Sequence, residues 1–377
     1  MKGKQGLVCM GLLLVLSSCH TGKQITASGL QRKDFQTEVN GQHTDLFTLS
    51  NKQGMEVCIT NYGARVVSIL VPDRNGKRED VVCGFSTITE YMEQRQNFGS
   101  TVGRYIGRIL NARFTLDGVE YKLVPNNGKS GHISHGGNPG FADRMWKVEQ
   151  ADTHRVRLSY LSPDGENGFP GNLKVTLVYS LGEDDNALDL TYEATTDAPT
   201  VLNLSHHSFF NISGNFTKSV EDQQLWVDAD RFTPYDDKKC VTGEYLQVAG
   251  TPLDFRMPHA IGECIDADHP QLKVVNGYDH TWELNTKGDD TRPAAWVYDP
   301  VSGRKMEIFT TEPGMQIYTG NGLKGKMTGK GGIAYPFRSA VCFETMHFQD
   351  SPNQPGFPST VLRPGEVFRS HTVYKFE

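Results

Sequence analysis

Val201-Leu-Asn-Leu-Ser-His-His-Ser-Phe-Phe-Asn-Ile-Ser-Gly214 reads as a β-strand, a run of β-branched, aromatic and apolar residues that closes in a Ser-Gly turn. Successive side chains on a strand point to opposite faces. Leu202, Leu204, His206, Ser208 and Phe210 therefore share one face, and Val201, Asn203, Ser205, His207, Phe209 and Asn211 share the other. The first set is the more apolar, which makes His206 a packed or rim histidine. The second sets Asn, Ser and His groups in a row, as the wall of a hydrogen-bonding groove would. Adjacent histidines thus carry different jobs. Taken alone, His207 still reads first as a satisfied structural residue.

Working outward, the same texture recurs along the chain. Glu56–Thr60, Val66–Val71, Asp80–Gly84, Asn172–Tyr179, Leu188–Glu193, Met306–Thr310 and Ser339–Glu344 are short β-type runs separated by Gly, Asn, Asp and Pro. Asp117-Gly118, between alternating runs, is a hairpin signal. Helical periodicity is nearly absent, and Thr87–Gln94 is the best short candidate. Many strands and few helices predict an all-β fold, a large antiparallel sandwich. With no linker after residue 40 and no internal repeat, residues 41–377 are expected to form one domain.

The N-terminus is read separately. Lys2 and Lys4 precede an apolar run, Gly6 to Leu16, that ends in Leu16-Ser-Ser-Cys19. A basic start, a short apolar core and small residues before a cut site describe a secretory signal, too short to span a bilayer as a permanent helix. Leu-Ser-Ser-Cys resembles the bacterial lipobox. Residues 1–18 would then be a lipoprotein-type signal, Cys19 the lipidated first residue of the mature chain, and His20 to about Gln36 part of a polar tether (residues 19–40) of low structural content. The expected location is outside the cytoplasm, on a periplasmic face or cell surface, held to a membrane by lipid.

Composition excludes some partners. The formal net charge is −6 and the pI about 6.1, with no basic stripe, so nucleic acid is a poor guess. Beyond Cys9 and Cys19 the cysteines are Cys58, Cys83, Cys240, Cys264 and Cys342. Five is an odd number and none forms C-x-x-C, so buried free thiols are expected rather than a metal cluster.

Five stretches carry chemistry. In Ser130-Gly-His-Ile-Ser-His-Gly-Gly-Asn-Pro-Gly-Phe141, the glycines after His135 let the backbone turn tightly and approach a ligand. His132 and His135 suggest a metal pair, but nothing resembles H-E-x-x-H and the glycines oppose an aligning helix, so zinc is disfavoured. Gly103-Arg-Tyr-Ile-Gly-Arg-Ile-Leu-Asn-Ala-Arg-Phe114 interleaves glycine with Arg104 and Arg108, whose guanidinium groups suit vicinal oxygens. Asn276-Gly-Tyr-Asp-His-Thr-Trp282 offers Asp279, which would accept hydroxyl hydrogen bonds or cap a turn. Trp282 would stack on a sugar or fill core. In Ala340-Val-Cys-Phe-Glu-Thr-Met-His-Phe-Gln-Asp-Ser351, Glu344 interrupts an otherwise buried strand. A buried carboxylate without a partner is costly, and burial raises its pKa toward the range useful for proton transfer at neutral pH. A strand-end glutamate reaching solvent is the alternative. The histidine pair supplies the fifth.

Together, and falling in the family's order along the chain, these stretches resemble the site motifs of the aldose 1-epimerases (galactose mutarotases), with Thr311-Glu-Pro-Gly-Met-Gln-Ile-Tyr-Thr-Gly-Asn321 as a further block. The resemblance runs from about Phe47 to Phe376. It implies a galactose mutarotase-like supersandwich with an open sugar cleft and no required cofactor; calcium is the ion to consider, although no loop has EF-hand spacing. It implies His207 as general acid and Glu344 as general base, held as imidazolium and carboxylate on opposite sides of the anomeric centre. Arg108, His135, Asp279 and Gln316 would bind the sugar, with Gly107, Ser208 and Phe209 beside them. Three positions depart from the family's usual residues: Gly107 and His206 where Asn is usual, and Met346 where Gln is common. The implied partner is a small sugar, bound by a monomer. Two other functions compete: a hexose 6-phosphate epimerase, which would need a basic cluster not evident here, and a surface glycan-binding protein, which would not need Glu344.

Overall fold

The computed structural model describes residues 24–377. The lipobox cysteine Cys19 and the signal segment 1–18 lie outside the described residues.

Three antiparallel sheets carry most of the structure. The largest has nine strands, in the order Lys147–Ala151, Arg155–Ser162, Leu173–Leu181, Ala187–Thr196, Phe368–Phe376, Lys305–Thr310, Ala295–Tyr298, Gln224–Val227 and His259–Ala260. Its long central strands alternate in burial, as in Leu173–Leu181 and Ala187–Thr196. One face is therefore core and the other meets solvent. A six-stranded sheet runs Phe209–Phe210, Val341–Met346, Gly314–Tyr318, Asp279–Glu283, Arg231–Thr233 and Leu246–Gln247. A four-stranded sheet spans Leu46–Ser50 to Arg78–Asp80.

The core lies between the sheets. Tyr179, Leu190 and Tyr374 of the large sheet join Phe210, Ile317 and Phe343 of the second and Val57, Ile59 and Ile69 of the third in one buried cluster. Two polar contacts lock the two larger sheets in register: Tyr374 Oη donates to the Phe343 carbonyl at 3.0 Å, and the Thr345 and Thr372 hydroxyls lie 2.7 Å apart. Val341–Met346 is buried on both faces. Val341 and Phe343 turn to the core, so Cys342, Glu344 and Met346 turn the other way. That alternation puts a carboxyl at the floor of the second sheet's outer face.

Local signals set several details. Asp117 and Gly118 both take positive φ (51° and 80°), the two-residue turn that matches strand twist, and Leu116 pairs with Val119. The predicted helix forms as Ile88–Gln94, closed by a capping box between Thr87 and Glu90. All five described cysteines are free, and four are buried.

Two expectations change. The run from Val201 to Gly214 is not one strand: Thr200–Val201 pairs with Val361–Leu362, Ser205–His207 with Ser100–Val102, and Phe209–Phe210 with Val341–Met346. The alternation of faces survives, but the chain changes partners on either side of Ser208 as it crosses between sheets. The polar tether also fails from Gln24 onward. Leu30 and Phe35 are buried against Leu46, Cys58 and Val67, and Arg32 pairs with Asp45. Two apolar side chains with an apolar surface to cover are enough to fold this segment onto the domain.

Candidate active site

The outer face of the six-stranded sheet forms the floor of a cavity of about 250 Å³, close to the smallest ligand pockets of about 300 Å³. Strand register builds its floor. Gln316 sits opposite Glu344 and Tyr318 opposite Cys342 on neighbouring strands, while Asp279 lies opposite Tyr318. The walls come from loops, which carry Arg108, Ser134 and His135, and from His207 and Phe209 beside the floor.

His207 and Glu344, 137 positions apart in sequence, meet here. Nε2 of His207 lies 3.5 Å from Oε1 of Glu344, and both side chains are buried. The imidazole stacks on Phe209 at 5.1 Å and meets the His135 ring edge-on at 5.4 Å. Its Nδ1 faces the Cys342 thiol at 3.8 Å. The two proton-transfer candidates are therefore adjacent, not on opposite flanks of a bound ring. A spacing of 3.5 Å suits two oxygens bonded to one carbon, which is how the hydroxyl and ring oxygens of an anomeric centre are placed.

Burial sets the electrostatics of the pair. Burial lowers the His207 pKa to about 4. Burial, with the Asp279 carboxylate adding to it and Arg108 opposing, raises Glu344 well above the usual carboxyl range. Desolvation disfavours the charged form of both. Desolvation thus favours a neutral His207 and a protonated Glu344 over an imidazolium–carboxylate pair.

The remaining polar groups are held firmly. The His135 backbone takes φ +52°, and its Nδ1 accepts the Gly107 amide at 3.4 Å. In the neutral ring this leaves Nε2–H as the donor. Burial, His207 and Arg108 lower its pKa to about 3. Gly136 follows at φ +79°, where a Cβ would sit 2.0 Å from the Gly103 carbonyl oxygen, so no side chain fits. Gln316 Nε2 donates to Asp279 Oδ1 at 2.6 Å, and its Oε1 accepts from Thr281 at 2.5 Å. Burial raises the Asp279 pKa, which Arg108 and Gln316 oppose. Gln349 Nε2 donates to Tyr235 Oη at 2.6 Å, and Gln349 Oε1 accepts from the Arg108 amide at 3.2 Å.

Among the described residues, His207, Cys342 and Glu344 are the one group close enough to share a metal ion. One nitrogen, one sulfur and one carboxylate do not make the oxygen-rich shell that calcium requires. His132 and His135 do not pair: His132 Nδ1 accepts the Asn111 amide and its Nε2 faces Cys240.

Comparison with known proteins decides the family. The aldose 1-epimerase family model matches residues 45–375. The chain belongs to the aldose 1-epimerase family. It is 40% identical over 331 residues to a galactose mutarotase of Bos taurus, covering 88% of this chain and 93% of that protein. It is 36% identical over 339 residues to an aldose 1-epimerase of Escherichia coli K12, covering 89% and 96%. A solved GalM/aldose epimerase homologue from C. elegans superposes with a TM-score of 0.81 at 31% identity, covering 89% of this chain and 99% of that one.

Within this aldose 1-epimerase, His207, Glu344, Arg108, His135, Asp279, Gln316, Gly107 and Phe209 all line the cavity. Ser208 does not. Its hydroxyl lies 2.6 Å from His206 Nε2 on the core side, as the strand's own alternation requires. His206 is packed beside Tyr179 and Tyr374. Trp282 fills core, fully buried, with its indole N–H on the Leu253 carbonyl. Arg104 and Arg108 part ways: Arg104 is buried and donates to Ser162, Pro163, Pro170 and Gly171, while Arg108 faces the cavity. Sequence reading missed Tyr318 and Gln349 as lining residues. Tyr318 was within reach, two positions after Gln316 on one strand face. Gln349 follows the strand in a loop, where no periodicity points to it.

Proposed function

We propose that this aldose 1-epimerase interconverts the α- and β-anomers of aldohexopyranoses, galactose and glucose among them, through His207 and Glu344. The observation that carries the reading is the 3.5 Å approach of Nε2 and Oε1 in one cavity walled by hydroxyl-binding groups. One member of the pair takes the proton of the C1 hydroxyl as the other protonates the ring oxygen. The C1–O5 bond breaks, C1 becomes an aldehyde carbon, and rotation about C1–C2 presents its other face. The reverse transfers close the ring. The pair carries one proton throughout, so its net charge is constant, and no electron leaves the sugar. No organic cofactor or metal is required by that balance. Positioned proton transfer contributes about 10²–10⁴-fold in rate.

Polarimetry on freshly dissolved α-galactose and α-glucose tests the activity. Decay of rotation no faster than in buffer would reject it. Arg108, His135, Asp279 and Gln316 are proposed to hold the hydroxyls away from C1. Arg108→Met is expected to raise KM about 10–100-fold with a smaller change in kcat, since hydrogen bonds to a charged group are worth about 1.5–3 kcal/mol. An unchanged KM would remove Arg108 from the binding set.

Export and anchoring are proposed as well, on the basic start, the short apolar run and Leu16-Ser-Ser-Cys19. Among the described residues no helix is long and apolar enough to cross a membrane. Cys19→Ala in the full chain is expected to move the protein from the membrane pellet to the soluble fraction. A wild-type protein found wholly in the soluble fraction would overturn the anchor.

A further inference from the structure

One wall of the sugar cavity is held from behind by a residue outside its lining. Gln96 and Asn97 line the cavity, in the short connection from the helix Ile88–Gln94 to the strand Ser100–Val102. Their backbone faces Arg65, the first residue of a strand in the four-stranded sheet. Arg65 Nη1 donates to the Gln96 and Phe98 carbonyls at 2.8 and 2.7 Å. Its Nη2 donates to the Ala142 carbonyl at 2.9 Å, in the turn Phe141–Asp143 that follows the His135 loop. The guanidinium lies over the Tyr91 ring, 4.7 Å from its centroid, a cation–π contact. One planar fork thus ties two separate loops together at the back of the site.

Only 1% of Arg65 is exposed. Asp143, Tyr62, Tyr91 and Tyr179 are the titratable groups whose charges act on it most, and no carboxylate forms an ion pair with it among the described residues. Apolar side chains hold a core without the cost of desolvating a charge, so filling space does not account for an arginine here. The braced segment runs straight into His207. The Gly99 amide donates to the His207 carbonyl at 3.0 Å, and the Gly99 carbonyl accepts from the Val66 amide at 2.8 Å. A Cβ at Gly99 would sit 1.8 Å from the Val66 carbonyl oxygen, so the segment is pressed against the strand that carries Arg65. The next residue, Ser100, stands opposite His207 in the ladder. The arginine also acts through space. Behind burial, its charge lowers the His207 pKa further; Glu344, Cys342 and His135 are the other titratable groups around that ring.

We infer that Arg65 is a positioning residue for the epimerase reaction, fixing the wall formed by residues 96–99 against the sugar and the His207 backbone beside Glu344. The inference rests on the proposed function and adds to it a residue that the sugar never meets.

Polarimetry on α-galactose with Arg65→Lys and Arg65→Met tests it, with kcat expressed per folded molecule. Lysine keeps the charge but replaces the fork with a point ammonium that does not span three carbonyls. Arg65→Lys is expected to lower kcat about tenfold or more, with the acid limb of kcat/KM still near pH 4. Arg65→Met loses fork and charge together. It is expected to lower kcat at least as much and to move the acid limb upward by about half a pH unit or more, because a cation near His207 is gone. A purely structural role would lower the urea midpoint and leave kcat per folded molecule and the acid limb where they were. That result in Arg65→Lys would overturn the inference and leave the proposed function intact. Tyr91→Leu withdraws the ring beneath the guanidinium with Arg65 in place, and decides the matter where neither arginine variant folds. A kcat lowered about threefold or more supports the inference, and an unchanged kcat overturns it. No epimerase activity in the wild type would remove both the inference and the proposed function.

Discussion

Glu344→Gln and His207→Asn are each expected to lower kcat for anomer interconversion by about 10²–10⁴-fold while the protein stays folded. Each substitution keeps the approximate shape and a hydrogen-bonding group but removes the ability to exchange a proton in the neutral range. The two should not add. The side chains act as one couple 3.5 Å apart, and a couple that has lost one member has little left for the second to contribute. The pH dependence of kcat/KM reads the free enzyme. With the His207 pKa near 4, the acid limb should fall near pH 4, where the pair gains a second proton, and no loss should centre on 6.5. The alkaline limb follows loss of the Glu344 proton. Near-normal polarimetric rates in either variant would end the assignment, and an acid limb centred at 6.5 would restore the imidazolium–carboxylate pair.

Acid is expected to destabilise the fold steeply between pH 6.5 and about 4. Burial lowers His135, His206 and His280 to about 3 and His207 to about 4, whereas each takes a proton near 6.5 once unfolded. A depressed pKa gives stability that is fully present above the unfolded value and lost as pH falls toward the folded one. Four such groups set a ceiling of about 5 kcal/mol per pH unit. Carboxyls raised by burial, Glu344 and Asp279, bind protons in the folded state and reduce the slope, whereas His371, held near 8 by Asp189 and Asp290, acts above this window, its stabilisation being lost as pH rises from 6.5 through 8. The net slope is expected to stay positive and below that ceiling. Urea midpoints measured from pH 7 to 4.5 check it. His206→Asn should flatten the slope by roughly one proton, because His206 is buried with its Nδ1 unpartnered among the described residues. A midpoint that does not move over that range would show that the four rings are solvated.

The family motifs pointed to residues that line one cavity because each lies in a short, distinctive stretch. Period-two alternation also separated His206 from His207, which is local backbone geometry and is written in the chain. The same rule excludes Ser208, which shares the His206 face; naming it as a sugar contact contradicted the strand's own pattern. The packing of Leu30 and Phe35 was hidden because two apolar residues among polar ones have no period. Gln349 was hidden because loops have none either.

The sequence by itself determined an antiparallel β protein, the orientation of strand residues to core or cleft, and which histidine and which carboxyl to propose as the proton-transfer pair. Those follow from side-chain alternation and local turn chemistry, which depend on neighbours in the chain. Tertiary structure decided that His207 and Glu344 stand side by side and that burial lowers the pKa of the one and raises that of the other. Distance and desolvation are set by residues far apart in sequence, and they exist only after the sheets have packed.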